Sequence, residues 1–248
     1  MSGGADFFIG WQASVAPRLG RFLAGAAGLV LAGALLLALA LGAAADDPAG
    51  PGFALVPGAA LPAPLPEGEA RLEGVLALSP YPVLYQPDGR AIVLAGDGKR
   101  GAGIDPALAG RTIAAVGYVQ TRGSIDMLVL GGPPELLAAA SPPPITTPLG
   151  RWRITGEICD GKCAAGAMRP GSGLAHRACA TLCIDGELPA LLVATAPVAG
   201  SAYLLLGGAD GGPMPAALRG WIGRRVALEG RVERRGGLLV FLAETPAR

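Results

Sequence analysis

A long apolar run stands near the start of the chain. Phe22–Ala45 contains no charged residue, and arginines precede it while aspartates come after it. A helix rises about 1.5 Å per residue, so this run would span roughly 36 Å, enough for a hydrocarbon core of about 30 Å. The charge bias predicts a cytoplasmic N-terminal segment (residues 1–21), a transmembrane helix (22–45) and a periplasmic remainder, anchored in a bacterial inner membrane.

A cleaved signal peptide is the alternative interpretation of this run. Ala43–Ala45 offers a small-residue cleavage site, but apolar signal regions usually have only about 7–15 residues, which favours retention. Both interpretations export the rest of the chain. Residues 46–66 are rich in Pro, Gly and Ala, which predicts a semi-extended tether rather than part of a core.

Beyond the tether, apolar and polar residues alternate in short runs that are typical of half-buried β-strands. Residues 109–130 and 222–243 match at a constant offset, as Gly117 matches Gly230. The segments preceding them match at a shorter offset, which indicates an insertion in the second copy at about 159–190.

The sequence therefore predicts a mainly β fold with two tandem, small OB-like barrels. The first would cover residues 67–135 and the second 151–245, joined by a linker at 136–150, and the second would carry a partly helical insertion. A β-sandwich is the alternative architecture. The Gly-rich stretch at 96–103 is interpreted as a turn, because no helix pattern comes after it.

Composition and charge exclude some partners. The formal net charge is +1, so no global field attracts nucleic acid. The barrels also lack the exposed aromatic runs interleaved with basic residues that single-stranded nucleic acid requires. We expect the membrane and a protein within a membrane complex as partners, and no nucleic acid.

All the sulfhydryl and imidazole chemistry of the chain falls in one short stretch. The four cysteines and the only histidine lie between residues 159 and 183, with the spacing C-x3-C-x12-H-x2-C-x3-C. A helix over Ala175–Ile184 would place three of these side chains on one face. They are His176, Cys179 and Cys183.

Three interpretations of this stretch compete. Export and an even number of cysteines favour one or two disulfides among Cys159, Cys163, Cys179 and Cys183. A zinc, iron or copper site would use Cys163, His176, Cys179 and Cys183, with Met168 and Cys159 as further candidates, and would explain the placement of the sole histidine. A redox-active thiol pair is the third. Nearby carboxylates could support a metal site from a second shell: Asp160, Asp185 and Glu187.

The same stretch carries a longer pattern, K-C-x2-G-x-M-x-P-G-x-G-x2-H-x2-C-A-x2-C-I-x-G, which runs from Lys162 to Gly186. It resembles a motif of uncharacterised bacterial single-pass membrane-anchored proteins with an OB-like domain. The resemblance brings no known activity, and Cys159 lies outside its pattern. It implies a shared set of three cysteines and one histidine, suited to a ligand set or to one disulfide and a spare thiol.

The expected function is a non-catalytic one. The chain has no second histidine for a triad, no G-x-S-x-G and no phosphate-binding G-K-[ST] loop, so no catalytic residue is assigned. The first hypothesis is an accessory or assembly component of a redox or metal-dependent membrane complex. A metal-binding or electron-transfer module is the second, and a thiol–disulfide oxidoreductase the third.

Overall fold

The computed structural model describes residues 16–44, 65–140, 142 and 144–244. The chain divides into two compact units, Met1–Asp47 and Pro48–Arg248. The first unit contains helix α1 (Pro17–Ala44), which begins earlier than the sequence predicts. Its segment Pro17–Ala40 has a mean hydropathy of 2.4, and none of its residues is buried. By length and composition this segment could cross a membrane. An apolar N-terminal helix is thus confirmed, and its length and composition are those of a membrane anchor or a signal sequence.

The second unit is mainly β, as the alternating pattern predicts. The described residues of its N-terminal half form six strands, with a short 3-10 turn at Pro106–Leu108 before the fourth. They are β1 (Gly68–Ala77), β2 (Val83–Tyr85), β3 (Ala91–Ala95), β4 (Arg111–Arg122), β5 (Ile125–Leu130) and β6 (Glu135–Ala140).

Up to residue 244, the C-terminal half forms five strands and one further α-helix. The helix is α2 (Arg177–Asp185), and a 3-10 turn covers Ala216–Trp221. The strands are β7 (Thr146–Asp160), β8 (Ala190–Val198), β9 (Ser201–Gly208), β10 (Arg225–Arg235) and β11 (Leu238–Ala243).

Strand pairing has the same order in both halves. The first sheet runs β1-β2-β3-β5-β4-β6, with an additional pairing of β1 to β4, and the second closes into a barrel in the order β10-β11-β9-β8-β7. The pairs β3–β5 and β9–β11 are parallel, whereas their neighbours are antiparallel. We call these the first sheet and the second barrel.

A glycine stands at the same place in each closing hairpin. Gly117 pairs with Leu130 and Gly230 with Ala243. A Cβ at either glycine would lie 2.1 or 2.2 Å from a carbonyl oxygen of the neighbouring strand. Such a contact would force the strands apart, so only glycine permits the close approach.

The two halves of the second unit share apolar surfaces. The strands β2, β3 and β5 are buried along most of their length. Because successive side chains of a strand point to opposite faces, both faces of these strands are covered. Ile92 and Leu128 belong to the core within the first sheet, whereas Val93 and Met127 belong to a cluster with second-barrel residues such as Leu191. This shared core fixes the loops of one half against those of the other.

Two connecting segments bear on the predicted domain boundaries. Residues 136–150, expected as a linker, are largely strand, since β6 covers Glu135–Ala140 and β7 begins at Thr146. Only residues 78–82 join β1 to β2, whereas residues 161–189 join β7 to β8. The longer connection holds most of the Cys/His stretch, close to the predicted insertion.

Candidate metal site

The site begins where β7 ends. Asp160 is the last residue of that strand and is fully buried. Its Oδ1 accepts the backbone N–H of Cys163 at 2.9 Å. The chain then makes a π-helical turn over Cys163–Ala167, in which Gly166 adopts φ 127°, a value that favours glycine. The turn holds the Cys163 thiol beside the end of the strand.

Helix α2 brings two more thiols to the same place. Cys179 and Cys183 are one turn apart on the helix, so their side chains share a face. The Sγ atoms of Cys163, Cys179 and Cys183 all lie within 4.8 Å of one another. We call these three the trithiol cluster. Cys163 and Cys183 are buried whereas Cys179 is partly exposed, so the cluster is reached from the side of Cys179.

His176 and Asp160 form a second group that shares Cys163. The Nε2 atom of His176 lies 2.9 Å from Oδ2 of Asp160, and the two side chains are 1% and 0% exposed. One ligand atom from each of Asp160, Cys163 and His176 lies within 4.8 Å of the others. Among the described residues, the predicted ligands therefore fall into two groups joined at Cys163 rather than into one.

A loop of the first sheet lies against the Cys-bearing helix. We call residues 96–103 the lysine loop. Lys99 Nζ donates to Cys179 Sγ at 2.7 Å and to Cys183 Sγ at 3.6 Å. The backbone N–H of Gly101 donates to the carbonyl of Gly186 at the end of α2, at 2.7 Å. The loop thus brings a positive charge to the trithiol cluster.

The other lysine of the chain also holds this loop. Lys162 Nζ donates to the carbonyls of Gly96 and Gly98 at 2.9 and 3.0 Å. Lys99 and Lys162 are the only lysines in the sequence, and both connect the lysine loop to the Cys/His stretch. The site is therefore built from both halves of the second unit.

Burial and charge shape the acidity of the thiols. Burial raises the pKa of Cys163, and the neighbouring Asp160 carboxylate raises it further. Burial also raises the pKa of Cys183 to about 11, with Asp160 adding to the effect and Lys99 opposing it. The hydrogen bond to Cys179 raises the pKa of Lys99. At neutral pH the two buried thiols therefore hold their protons.

Cys159 lies outside both of these groups of Cys, His and Asp side chains. Cys159 is next to Asp160 on a strand, so its side chain points to the opposite face, where its Sγ donates to Glu157 Oε1 at 3.2 Å. Burial raises the pKa of Cys159 well above its usual value. Met168 is 42% exposed. All four cysteines are unbonded in the structure, so the disulfide interpretation stays a prediction.

Sequence reasoning misses the role of Lys99 and gives Asp160 only a supporting place. From the sequence, the stretch 96–103 is a plain turn, and nothing local marks it as part of a site. One signal could have found it. In a chain with 20 basic residues, only Lys99 and Lys162 are lysines, and Lys162 stands beside Cys163.

The chain matches no protein-family model, no curated protein and no solved structure. The resemblance to membrane-anchored bacterial proteins therefore stays a prediction from the motif. The function rests instead on the thiols, the imidazole, the carboxylate and the ammonium group that the fold brings together.

Proposed function

We propose that this protein is a membrane-anchored metal-binding protein whose trithiol cluster holds a thiophilic ion. The observation that carries this proposal is the approach of three Sγ atoms to within 4.8 Å of one another. Zinc–sulfur bonds of about 2.3 Å place neighbouring sulfurs of a tetrahedral site about 3.8 Å apart. A small movement of the thiols would therefore suffice to bind the ion.

The donor set favours zinc. Thiolates with an imidazole or a carboxylate nearby are a mixed, borderline-soft environment that suits Zn²⁺, while copper(I) and iron are the other ions that thiolates select. The ion would be held by Cys163, Cys179 and Cys183. A bound zinc ion has no redox chemistry of its own, so it would act as a structural or transferable ion, whereas copper or iron would support electron transfer.

The surroundings of the thiols favour metal binding over thiol–disulfide exchange. An attacking cysteine needs a lowered pKa and access to solvent. Cys163 and Cys183 are both buried, and burial raises both of their pKa values. A metal ion removes this obstacle because it displaces the protons directly and replaces them as the partner of the sulfur.

Metal content of the purified full-length protein tests the proposal. The protein should be prepared anaerobically in detergent, reconstituted with zinc, and freed of excess ion before elemental analysis. We expect about one ion per chain, the content of a mononuclear tetrahedral site. Substitution of Cys163 or Cys183 by serine should abolish binding, while Cys159→Ser should retain it. A wild-type protein that holds no metal, or cluster variants that hold as much as wild type, would contradict the proposal.

We further infer that the two β halves are related OB-type barrels. Three observations support the inference: the shared order of strand pairing, the parallel pairs β3–β5 and β9–β11, and the matched glycines Gly117 and Gly230. In this interpretation the β7–β8 connection is an addition to a duplicated scaffold, and it carries the metal site. Periodicity alone would not have placed the site in that connection.

The membrane topology and the accessory role belong to the same proposal. The apolar helix and its flanking charges support an N-terminus in the cytoplasm and barrels in the periplasm. Protease added to spheroplasts should then degrade the barrels. Barrels that are protected from the protease would indicate the opposite topology. The accessory role in a membrane complex stays a prediction. Deleting residues 159–187 should abolish partner association if it is right.

A further inference from the structure

The paired His176 and Asp160 side chains have one polar atom left over. Asp160 uses both carboxylate oxygens, since Oδ1 accepts the N–H of Cys163 and Oδ2 lies 2.9 Å from Nε2 of His176. A carboxylate only accepts hydrogen bonds, so Nε2 carries the hydrogen. In the neutral ring Nδ1 then presents a lone pair. Among the hydrogen bonds of the described residues, this buried Nδ1 has no partner.

A buried nitrogen lone pair without a donor needs a partner, and the described residues do not supply one. Its residue is 2% exposed, which leaves little access for bulk water. A ring nitrogen of His176 also belongs to a compact group with Cys163 Sγ, and Cys163 is a member of the trithiol cluster. The imidazole that carries the orphaned acceptor is thus linked to the trithiol cluster through Cys163.

We propose that His176 is the fourth ligand of the metal ion, bound through Nδ1, and that Asp160 is a positioning residue that fixes the ring. The proposal rests on metal binding at the trithiol cluster. Metal-binding histidines commonly donate their other ring N–H to a carboxylate, which selects the tautomer and makes the coordinating nitrogen more basic. Asp160 stands in that relation to His176, at the end of a rigid strand.

A lysine offsets the charge of such a coordination shell. Three thiolates, a neutral imidazole and a divalent ion carry a net charge of about −1. The ammonium group of Lys99, in contact with two of the sulfurs, offsets that charge. Asp160 remains outside the coordination shell, held by the ring and by a backbone N–H. Its buried charge is therefore hydrogen-bonded at both oxygens, as a buried carboxylate requires.

The sole histidine of the chain makes a direct test possible. The full-length protein in detergent should be loaded with the NMR-active isotope of cadmium, which replaces zinc at thiolate sites, and labelled with the NMR-active isotope of nitrogen at histidine. We expect a scalar coupling between cadmium and Nδ1, with the proton on Nε2. This measurement needs no substitution, so folding defects cannot obscure it.

Two variants separate the ligand from its positioning partner. Asp160→Asn should weaken the affinity for zinc about 10- to 100-fold, the usual effect of losing an outer-shell partner, and should shift the tautomer of the ring. His176→Ala should replace the nitrogen in the X-ray absorption spectrum by an oxygen from water, and added imidazole should restore it.

The outcomes distinguish the proposed role of His176 from the proposal that the trithiol cluster binds metal. Metal held by three sulfurs and an oxygen in the wild type, unchanged by His176→Ala, would overturn the ligand role while leaving the trithiol site intact. Coupling of cadmium to Nε2 would overturn the role of Asp160 together with the assigned nitrogen. A protein that binds no metal at all would overturn both proposals.

Discussion

Neutralising Lys99 should weaken metal binding through charge alone. Lys99→Met removes the ammonium group that lies 2.7 Å from Cys179 Sγ and 3.6 Å from Cys183 Sγ, while keeping a long, flexible side chain. The bound site would carry a net charge of about −1, as three thiolates exceed one divalent ion. The substitution therefore removes a favourable charge pair from the metal-bound state.

The size of the effect depends on distance and exposure. Two unit charges about 4 Å apart attract by about 1 kcal/mol in water and by about 4 kcal/mol in a medium typical of pairs near a protein surface. Lys99 is exposed, so we take the value for water. A loss of about 1 kcal/mol corresponds to an affinity for zinc that is roughly fivefold weaker. Thiolate count and coordination geometry should not change.

Competition with a chromophoric chelator at low ionic strength measures this difference. The matched control is Arg100→Met, which removes the same charge from the next residue of the lysine loop. Among the described contacts of Arg100 is one from Gly96 N–H to its backbone carbonyl, and none joins its side chain to a thiol. The control should bind zinc about as tightly as wild type.

Salt provides a second check on the same reasoning. The screening length falls from about 10 Å at 0.1 M salt to about 3 Å at 1 M. The difference between Lys99→Met and wild type should therefore shrink as salt is added. Equal losses in the Lys99 and Arg100 variants would refute the contact as the cause, and so would an unchanged affinity of Lys99→Met at low salt.

Three further predictions concern the surroundings of the site. A Cβ at Gly186 would lie 1.8 Å from the Lys99 carbonyl, so Gly186→Ala should cost about 1–3 kcal/mol in urea unfolding and should weaken zinc binding as Lys99→Met does. Cys159→Ala should keep full metal content and lose about 1 kcal/mol of stability with its hydrogen bond. Burial raises the pKa of Cys183 from 9.0 to about 11, so this thiol ionises at a lower pH in the unfolded chain than in the folded one. The metal-free protein should therefore lose stability as the pH rises from 9.0 to about 11. Constant stability over that range would contradict the shift.

The sequence predicts those parts of the fold and site that depend on local pattern. The apolar run in α1, the alternating strands and the helix near Ala175–Ile184 are consequences of periodicity, and α2 is found at Arg177–Asp185. The grouping of Cys179 with Cys183 is a consequence of helical spacing. Strand alternation could also have predicted that the side chains of Cys159 and Asp160 lie on opposite faces of the sheet, since adjacent residues of a strand face opposite sides.

The rest depends on contacts between segments that lie far apart in the chain. Lys99 reaches Cys179 because β3 and the loop after it pack against the second half, and no local pattern encodes that packing. The joining of Asp160 to His176 depends on the irregular turn between them, where Gly166 adopts a positive φ. Propensity scales do not specify such a turn. The sequence therefore identifies the candidate side chains but does not predict their relative positions.

The division of the site between two halves bears on how it would be loaded. Cys163, Cys179 and Cys183 all come from the β7–β8 connection, but their charge partner Lys99 comes from the first sheet. Hydrogen bonds that hold the lysine loop to this connection run from Lys162 to Gly96 and Gly98 and from Gly101 to Gly186. The partly exposed Cys179 lies beneath Lys99, so an arriving ion would meet that thiol first. The same ion would also meet the ammonium group of Lys99, which lies 2.7 Å from the Cys179 Sγ atom.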